Sequence, residues 1–233
     1  LGLHMHQPPA NIELLMRTNE WEAKQITLCY ERPLKYSRRY EDVAKIHLGF
    51  SGILLEQLCA PQIIEKFSDV VDLKRMMREY PKSRGIEFVG MGYYHPLFPL
   101  IPMDDWKSQI ERWKEKAKEL GFAAEGFWPP EMGFCMEMIP ALEETGFKYV
   151  IVDGVHVKPQ KENENLTREE IMYKPHFAEY ESSEIIIIPR DRDISNAQES
   201  GLDPNWFERE VVQKTEKCEG YCLVTTWSDG ENA

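Results

Sequence analysis

Two acidic residues, far apart in the sequence, occupy similar surroundings. Glu131 follows Trp128 and two prolines, and Asp229 follows Trp227 and a serine. Each acid lies at the end of an apolar run that predicts a β-strand. Two carboxyl groups at the carboxyl ends of barrel strands are the arrangement that cleaves a glycosidic bond. Either acid alone is more typical of a solvated loop or a helix N-cap, but the pair and the histidines described next favour a catalytic site.

Two histidines end the first predicted strand. His4 and His6 lie on the same side of that strand, because side chains repeat every two residues. Such a pair binds a metal ion in some proteins and donates hydrogen bonds to sugar hydroxyls in others. One core and one surface histidine is the alternative. Pro8 and Pro9 end the strand and fix the loop that follows.

An aromatic, proline-rich loop follows the third predicted strand, over residues 92–99. Tyr94 and His95 in this loop suit sugar stacking and hydrogen bonding. The alternative is a packed connecting loop, which is the expectation for Phe98.

Four more residues at predicted strand ends are candidates for substrate binding. Asp153 ends the fifth strand and Arg190 follows the sixth, where alternating charges line either a subsite or a solvated rim. Trp128 and Trp227 are either core residues or walls beside the two acids. An apolar wall keeps a carboxylic acid protonated, so Trp227 is expected to raise the pKa of Asp229.

The elements that position these residues alternate between strand and helix. The apolar strands predict a parallel sheet covered on both faces, and the alternation predicts an α/β barrel of about seven strands. The predicted strands are residues 1–6, 46–50, 86–90, 126–128, 148–153, 184–189 and 221–226. The predicted helical segments are 53–58 continuing into 61–80, 105–120, 136–144 and 204–217. The polar stretch 158–167 is interpreted as a surface excursion within one domain.

The composition excludes some partners. A net charge of -12 leaves no excess of Lys and Arg for nucleic acid or for an anionic membrane surface. A neutral sugar is compatible with this charge. No apolar run is long enough for a membrane span, and no secretory signal is visible, so a cytoplasmic location is expected.

The five cysteines do not suggest a disulfide framework. Their number is odd and their positions are scattered. Cys218 and Cys222 are separated by three residues, which is not the common spacing of a paired motif. Reduced thiols in a cytoplasmic protein are therefore expected.

Several motifs in order resemble glycoside hydrolase family 57, the family of α-amylases, amylopullulanases and 4-α-glucanotransferases. The matching segments are His6-Gln7-Pro8, His47 to Gly52 with Leu54 to Leu58, Gly92 to Pro99 with His95, Trp128 to Glu131, and Asp229 to Ala233. The form of the last segment is most similar to the amylopullulanase-like branch.

The resemblance implies a fold, a reaction and a set of roles. It implies an incomplete (β/α)7 barrel, which agrees with the seven predicted strands, and a retaining reaction on α-glucans without a cofactor or metal. Glu131 would be the nucleophile and Asp229 the acid/base, with carboxyl groups roughly 5–5.5 Å apart. His6 and His95 would orient sugar hydroxyls, and Glu231 would position Asp229 or bind substrate.

Three alternatives remain open. A 4-α-glucanotransferase would use the same site with a sugar as acceptor. A metal-dependent polysaccharide deacetylase would draw on His4, His6, His95 and Asp153. A non-catalytic glucan-binding domain would keep the barrel without turnover. The family continues past the last motif into a helical region, so residues 1–233 are expected to be one catalytic domain without that region. Linkage preference, glucan length and oligomeric state stay open.

Overall fold

The structure, a computed structural model, describes residues 1–160, 165–201 and 203–231. Within these residues eight strands form one sheet. They are β1 (Gly2–Met5), β2 (Ile46–Phe50), β3 (Ile86–Gly90), β4 (Ala124–Phe127), β5 (Tyr149–Asp153), β6 (His176–Tyr180), β7 (Ser183–Arg190) and β8 (Trp227–Asp229). Their order across the sheet is β6-β7-β5-β4-β3-β2-β1-β8.

The sheet curls into a barrel of parallel strands. Every neighbouring pair is parallel except β6 and β7, which form an antiparallel hairpin at one edge. A parallel bridge between Arg190 and Thr225 brings the end of β7 beside the segment that leads into β8, at the opposite edge. The described chain thus contributes seven parallel strands and one antiparallel edge strand, and the predicted incomplete (β/α)7 barrel is confirmed.

Helices connect the strands on the outside of the sheet. They are α1 (Asn11–Thr18), α2 (Glu20–Arg39), α3 (Gly52–Cys59), α4 (Pro61–Lys66), α5 (Leu73–Glu79), α6 (Met103–Glu119), α7 (Ile139–Glu144), α8 (Arg168–Tyr173), α9 (Arg192–Glu199) and α10 (Pro204–Thr215). The predicted helix over 61–80 is two helices, because Asp72 caps a second one with a hydrogen bond from the Arg75 N–H.

The last predicted strand is displaced. The sequence predicted residues 221–226, whereas β8 covers Trp227–Asp229. The apolar run 221–226 has strand propensity, but the position of a strand also depends on the strand with which it pairs. Pairing with β1 aligns Trp227 with Gly2 and Asp229 with His4. β6 was not predicted, because an edge strand with a mixed sequence lacks the continuous apolar pattern of a buried parallel strand.

Large side chains fill the barrel beside glycines on neighbouring strands. A Cβ on Gly2 would lie 2.0 Å from the Trp227 ring, and one on Gly126 would lie 2.1 Å from the Tyr149 ring. These glycines therefore leave room for the two aromatic rings. Outside the sheet, α6 buries a face that includes Trp113, whose Nε1 donates to the Phe50 carbonyl at 2.7 Å.

The expectation of reduced cysteines is wrong at one pair. Cys218 and Cys222 form a disulfide in the connection between α10 and β8. The turn after α10 brings their Cα atoms to 6.5 Å, a separation that a disulfide spans, although spacing alone did not indicate it. Within the described residues, Cys29, Cys59 and Cys135 are in no disulfide. The disulfide removes one reason for expecting a cytoplasmic location, which stays a prediction.

Some sequence predictions fall partly outside the described residues. The polar stretch 158–167 includes residues 161–164, and the last motif includes Asn232 and Ala233. Across the residues that are described, no helix combines the length and the apolar character needed to cross a membrane. The single-domain assignment and the helical region beyond it stay predictions.

Candidate active site

The carboxyl ends of four barrel strands bring together the residues that the sequence singled out. His4 lies on β1 with His6 just after it, and Asp229 ends β8. His95 follows β3, and Glu131 follows β4. In a parallel barrel these ends share one face, which is where barrel enzymes place their chemistry.

Asp229 and His95 are both in contact with His4. The Nδ1 of His4 lies 2.7 Å from Oδ1 of Asp229, which is a hydrogen-bonding distance. The Nε2 of His4 lies 2.8 Å from the Nε2 of His95. Both ring nitrogens of His4 are therefore engaged, and β1 links the loop after β3 to the end of β8.

His6 supports His95 from the other side. Their rings stack with centroids 3.9 Å apart and an interplanar angle of 6°. The His6 Nδ1 is within 2.9 Å of the Ser51 hydroxyl, which holds the ring in place. Burial, reinforced by the neighbouring histidines, lowers the pKa of His6 to about 4 and that of His95 to about 3. Both rings are neutral near pH 7.

Glu131 sits in a strained, exposed turn. It has a φ of 54°, and Met132 after it has a φ of 58°. Non-glycine residues rarely adopt this left-handed conformation, and its cost of roughly 1–3 kcal/mol is typical of functional sites. The turn leaves the side chain 70% exposed, with Oε1 4.0 Å from the His95 Nδ1.

Asp229 does not have the raised pKa that the sequence predicted. The hydrogen bond from His4 lowers its pKa, although burial acts in the opposite direction. Trp227 is 2% exposed and stacks on Trp128, with ring centroids 4.7 Å apart, so it belongs to the barrel interior. The side chain of Asp229 itself is 50% exposed. Contact with His4 therefore outweighs the apolar wall.

Glu231 is the acid with the raised pKa. Burial raises its pKa to about 7. One of its oxygens accepts a hydrogen bond from the His6 backbone N–H at 2.8 Å. This bond ties the residues after β8 to the end of β1.

The remaining predicted residues lie around this centre. Asp153 is buried and accepts hydrogen bonds from two guanidinium nitrogens of Arg192. The Arg190 Nε donates to the Trp227 carbonyl at 3.0 Å, and burial lowers the pKa of this arginine. Tyr94 is partly exposed, and the Arg112 guanidinium lies 4.9 Å from its ring centroid. The structure therefore gives Asp153 and Arg190 protein partners and leaves the Tyr94 ring accessible.

Two contributions were missed from the sequence. The sequence predicts His4 as a metal ligand or a donor to sugar hydroxyls, yet it lies between Asp229 and His95. The sequence predicts no role for Ser51, although this residue caps α3 and contacts His6. A serine between a strand and a helix is the signal of an N-cap, and this one is also in the segment that resembles the family.

A cavity of about 670 Å³ opens beside the Glu131 turn. Its lining combines apolar and polar side chains from this turn, from β5 and from β6, among them Met132, Phe134, Met136, Asp153, His176 and Phe177. Such a mixture is typical of ligand pockets. Among the residues with described positions, no group of three or more His, Cys, Asp or Glu side chains is placed to hold a metal ion.

Comparison with known proteins gives a consistent result. The sequence profile of glycosyl hydrolase family 57 matches residues 1–199. Over 190 residues the chain is 31% identical to a 4-α-glucanotransferase of Thermococcus litoralis and 32% identical to an α-amylase of Pyrococcus furiosus. Each of these matches covers 82% of this chain but 26% of the relative, so the chain spans about a quarter of the length of these proteins.

A solved structure shows the same architecture. The crystal structure of the 4-α-glucanotransferase from Thermococcus litoralis superimposes with a TM-score of 0.74 at 26% identity. The match covers 99% of this chain and 33% of that one. The similarity thus extends over the whole barrel.

Proposed function

Because the chain belongs to glycosyl hydrolase family 57, we propose that it forms the catalytic barrel of a retaining enzyme that acts on α-glucans. In the first step Glu131 attacks the anomeric carbon while Asp229 protonates the departing oxygen. In the second step Asp229 takes a proton from the acceptor, which displaces Glu131 from the sugar. Both residues match the family motifs, and these roles come from that resemblance.

The observation that carries the proposal is the convergence of the two acids on one pair of histidines. Asp229 contacts His4, and Glu131 lies 4.0 Å from His95, while His4 and His95 contact each other. Both carboxylates are accessible to a substrate, with side chains 50% and 70% exposed. A nucleophile and an acid/base need this common location and access.

The surrounding residues suit a sugar. His6 and His95 are neutral at pH 7 and offer ring nitrogens to hydroxyl groups. The indole N–H groups of Trp128 and Trp227 are buried and have no hydrogen-bond partner among the described residues, so we assign the two stacked rings to the apolar base of the substrate site. We assign Tyr94 to stacking, because its ring is accessible. We also assign Asp153, Arg190 and Glu231 to substrate binding. In this proposal the side chains of Asp153 and Arg190 form part of the wall of the substrate site.

The acceptor is water or another sugar. The similar proteins include both an α-amylase and a 4-α-glucanotransferase, and the same carboxyl pair serves both reactions. We favour hydrolysis, in which water is the acceptor. Products longer than the starting maltooligosaccharide would instead show transfer to a sugar. The deacetylase alternative loses support, because the family is one of glycosyl hydrolases. The activity and the substrate are both proposals, because the chain spans about a quarter of the length of these relatives.

The first test compares the full-length protein with two variants, Glu131→Gln and Asp229→Asn. Each removes a charge and keeps the shape of the side chain. We expect release of reducing sugar from starch, pullulan or maltooligosaccharides to fall by roughly 10²–10⁴-fold or more in each. Glu143→Gln, in an exposed position on α7, is the matched control and should keep full activity.

Two results would contradict the proposal. A folded Glu131→Gln variant with undiminished activity would show that Glu131 is not the nucleophile. A folded full-length wild type that is inactive on every glucan but binds them would favour the non-catalytic domain.

A further inference from the structure

The imidazole ring of His6 is held in a way that leaves one nitrogen open. Its Nδ1 lies 2.9 Å from the Ser51 Oγ, and one face stacks on His95 with ring centroids 3.9 Å apart. The backbone N–H of His6 donates to Oε1 of Glu231 at 2.8 Å. Among the described residues the Nε2 of this ring has no hydrogen-bond partner, so this atom is left for a substrate.

Ser51 is fixed between β2 and α3, in contact with the end of β1. Its side chain is fully buried, and its backbone N–H donates to the Met5 carbonyl at 3.0 Å. The Oγ accepts a hydrogen bond from the Leu54 N–H at 3.3 Å, which caps α3. The hydroxyl proton is not used by this cap. In the described part of the chain, the acceptor within its reach is the His6 Nδ1.

The polarity of the contact between Ser51 and His6 follows from this proton. Burial lowers the pKa of His6 to about 4, so the ring is neutral at pH 7 and has one N–H and one lone pair. A hydrogen on Nδ1 would leave the hydroxyl proton of Ser51 buried without an acceptor, which is costly. The hydroxyl therefore donates to Nδ1, and the ring proton lies on Nε2.

We propose that Ser51 is a positioning residue that acts through His6: its hydroxyl donates to Nδ1, so that the ring presents an Nε2–H to an oxygen atom of the bound sugar. This inference rests on the proposed function and adds the polarity of one contact with the substrate. The opposite tautomer would offer a lone pair at Nε2 and would bind a sugar hydroxyl only through the hydrogen of that hydroxyl.

Other titratable groups lie near the ring, and they act on it from the same end of the barrel. They are His4 on β1, His95 after β3, Asp229 on β8 and Glu231 after β8. Burial and His4 lower the pKa of His6, whereas Asp229 raises it. Among the described residues only Ser51 is hydrogen-bonded to the Nδ1 of His6, so substitutions of this serine isolate its effect.

Nuclear magnetic resonance of the full-length protein with ¹⁵N-labelled histidine measures the tautomer directly. At pH 7 we expect His6 to carry its proton on Nε2, and the spectrum of His6→Gln would assign the signal. A proton on Nδ1, or on both nitrogens, would overturn the inference whatever the activity.

Substitutions of Ser51 test whether the hydroxyl is responsible, through the pKa of His6. A hydroxyl that donates to Nδ1 stabilises the neutral ring, so Ser51→Gly should raise this pKa by about one unit, the equivalent of one hydrogen bond. Glycine is accepted as a helix N-cap, so α3 is retained. Ser51→Thr keeps a hydroxyl and should keep the pKa near its wild-type value.

A matched control removes a cap elsewhere. Asp72→Gly takes away the cap of α5 and should leave the pKa of His6 unchanged. A lowered or unchanged pKa in Ser51→Gly would contradict the proposed polarity. An equal rise in Ser51→Gly and Ser51→Thr would show that packing, and not the hydroxyl, controls the ring.

The value of kcat/KM links the tautomer to the substrate. On maltooligosaccharides Ser51→Gly should lower kcat/KM by about 2–10-fold, the effect of one hydrogen bond. Ser51→Thr should restore the wild-type value, and Asp72→Gly should keep it. An unchanged kcat/KM in Ser51→Gly, together with a raised pKa of His6, would refute the contact with the sugar.

The outcomes distinguish this inference from the proposed function. Activity that depends on Glu131, with the His6 proton on Nδ1, would refute the role of Ser51 and leave the glycosidase standing. A His6 proton on Nε2 in a full-length protein that is inactive on every glucan would support the role of Ser51 in fixing the ring and refute the glycosidase.

Discussion

At the scale of single residues, three carboxyl groups at one end of the barrel have different surroundings. Glu131 is held in an open left-handed turn, and Asp229 is kept ionised by its hydrogen bond with His4. Glu231 is partly buried, and burial raises its pKa to about 7. Local contact and burial, rather than residue type, therefore set the pKa values of Asp229 and Glu231 apart.

The raised pKa of Glu231 predicts a pH dependence of stability. The folded state holds this proton up to about pH 7, whereas the unfolded chain releases it near the ordinary value of 4.5. Between these values the folded state binds more protons, so the free energy of unfolding falls as the pH rises. Glu231→Gln should remove this decline, which is on the order of 2–3 kcal/mol.

Urea unfolding of the full-length protein at pH 5 and pH 8 measures the effect. The wild type should lose stability relative to Glu231→Gln over this interval, while Glu143→Gln should follow the wild type. Equal pH dependence in the wild type and Glu231→Gln would show that the carboxyl group is not held protonated by the fold.

The sequence placed the main site residues correctly at strand ends, but it did not give their contacts. Glu131 and Asp229 do lie at the ends of parallel strands, because barrel topology gathers such ends. The contact between His4 and His95 joins residues 91 positions apart and depends on the packing of two strands. The pairing of Asp153 with Arg192 was equally invisible, because it needs the relative position of β5 and α9.

At the scale of elements, strand predictions succeeded where burial made the pattern continuous. β2 and β3 have the predicted bounds, while β8 begins six residues after the predicted start. The helix α2 was not predicted, although Ala23, Thr27, Tyr30 and Leu34 are buried at helical spacing along it. The proline inside this helix, Pro33, and its many charged residues make the buried face hard to detect in the sequence. The start of β8 depends on pairing with another strand, and α2 depends on burial against the rest of the fold. A short stretch of sequence contains neither kind of information.

The connection from α10 to β8 gives a prediction at this scale. The disulfide between Cys218 and Cys222 closes a loop over a sequence separation of 4. So short a loop restricts the unfolded chain little, and removing the bond should cost at most about 2 kcal/mol. Urea unfolding with and without a reductant measures the change.

The double variant Cys218→Ser/Cys222→Ser is the control, because it removes the disulfide and keeps Cys29, Cys59 and Cys135. Its stability should not respond to the reductant. An equal response in this variant would show that another cysteine is responsible, and two free thiols at Cys218 and Cys222 in the untreated protein would contradict the disulfide.

At the scale of the whole molecule, barrel closure brings the beginning and the end of the described chain together. β1 pairs with β8, and Glu231 is hydrogen-bonded to the backbone of His6. The site therefore exists only when the fold is nearly complete. The net charge of -12 suits a neutral substrate, since there is no cationic excess for a phosphate-rich partner.

The most direct test of the account is to trap and locate the covalent intermediate. The full-length protein would be incubated with a 5-fluoro-α-maltosyl fluoride, which forms the glycosyl-enzyme readily and releases it slowly. Mass spectrometry of the intact protein and of its peptides would then be recorded. We predict one added maltosyl group, attached to Glu131 and absent from Glu131→Gln. A label on another residue, or turnover with inversion at the anomeric carbon and no label, would contradict the assignment.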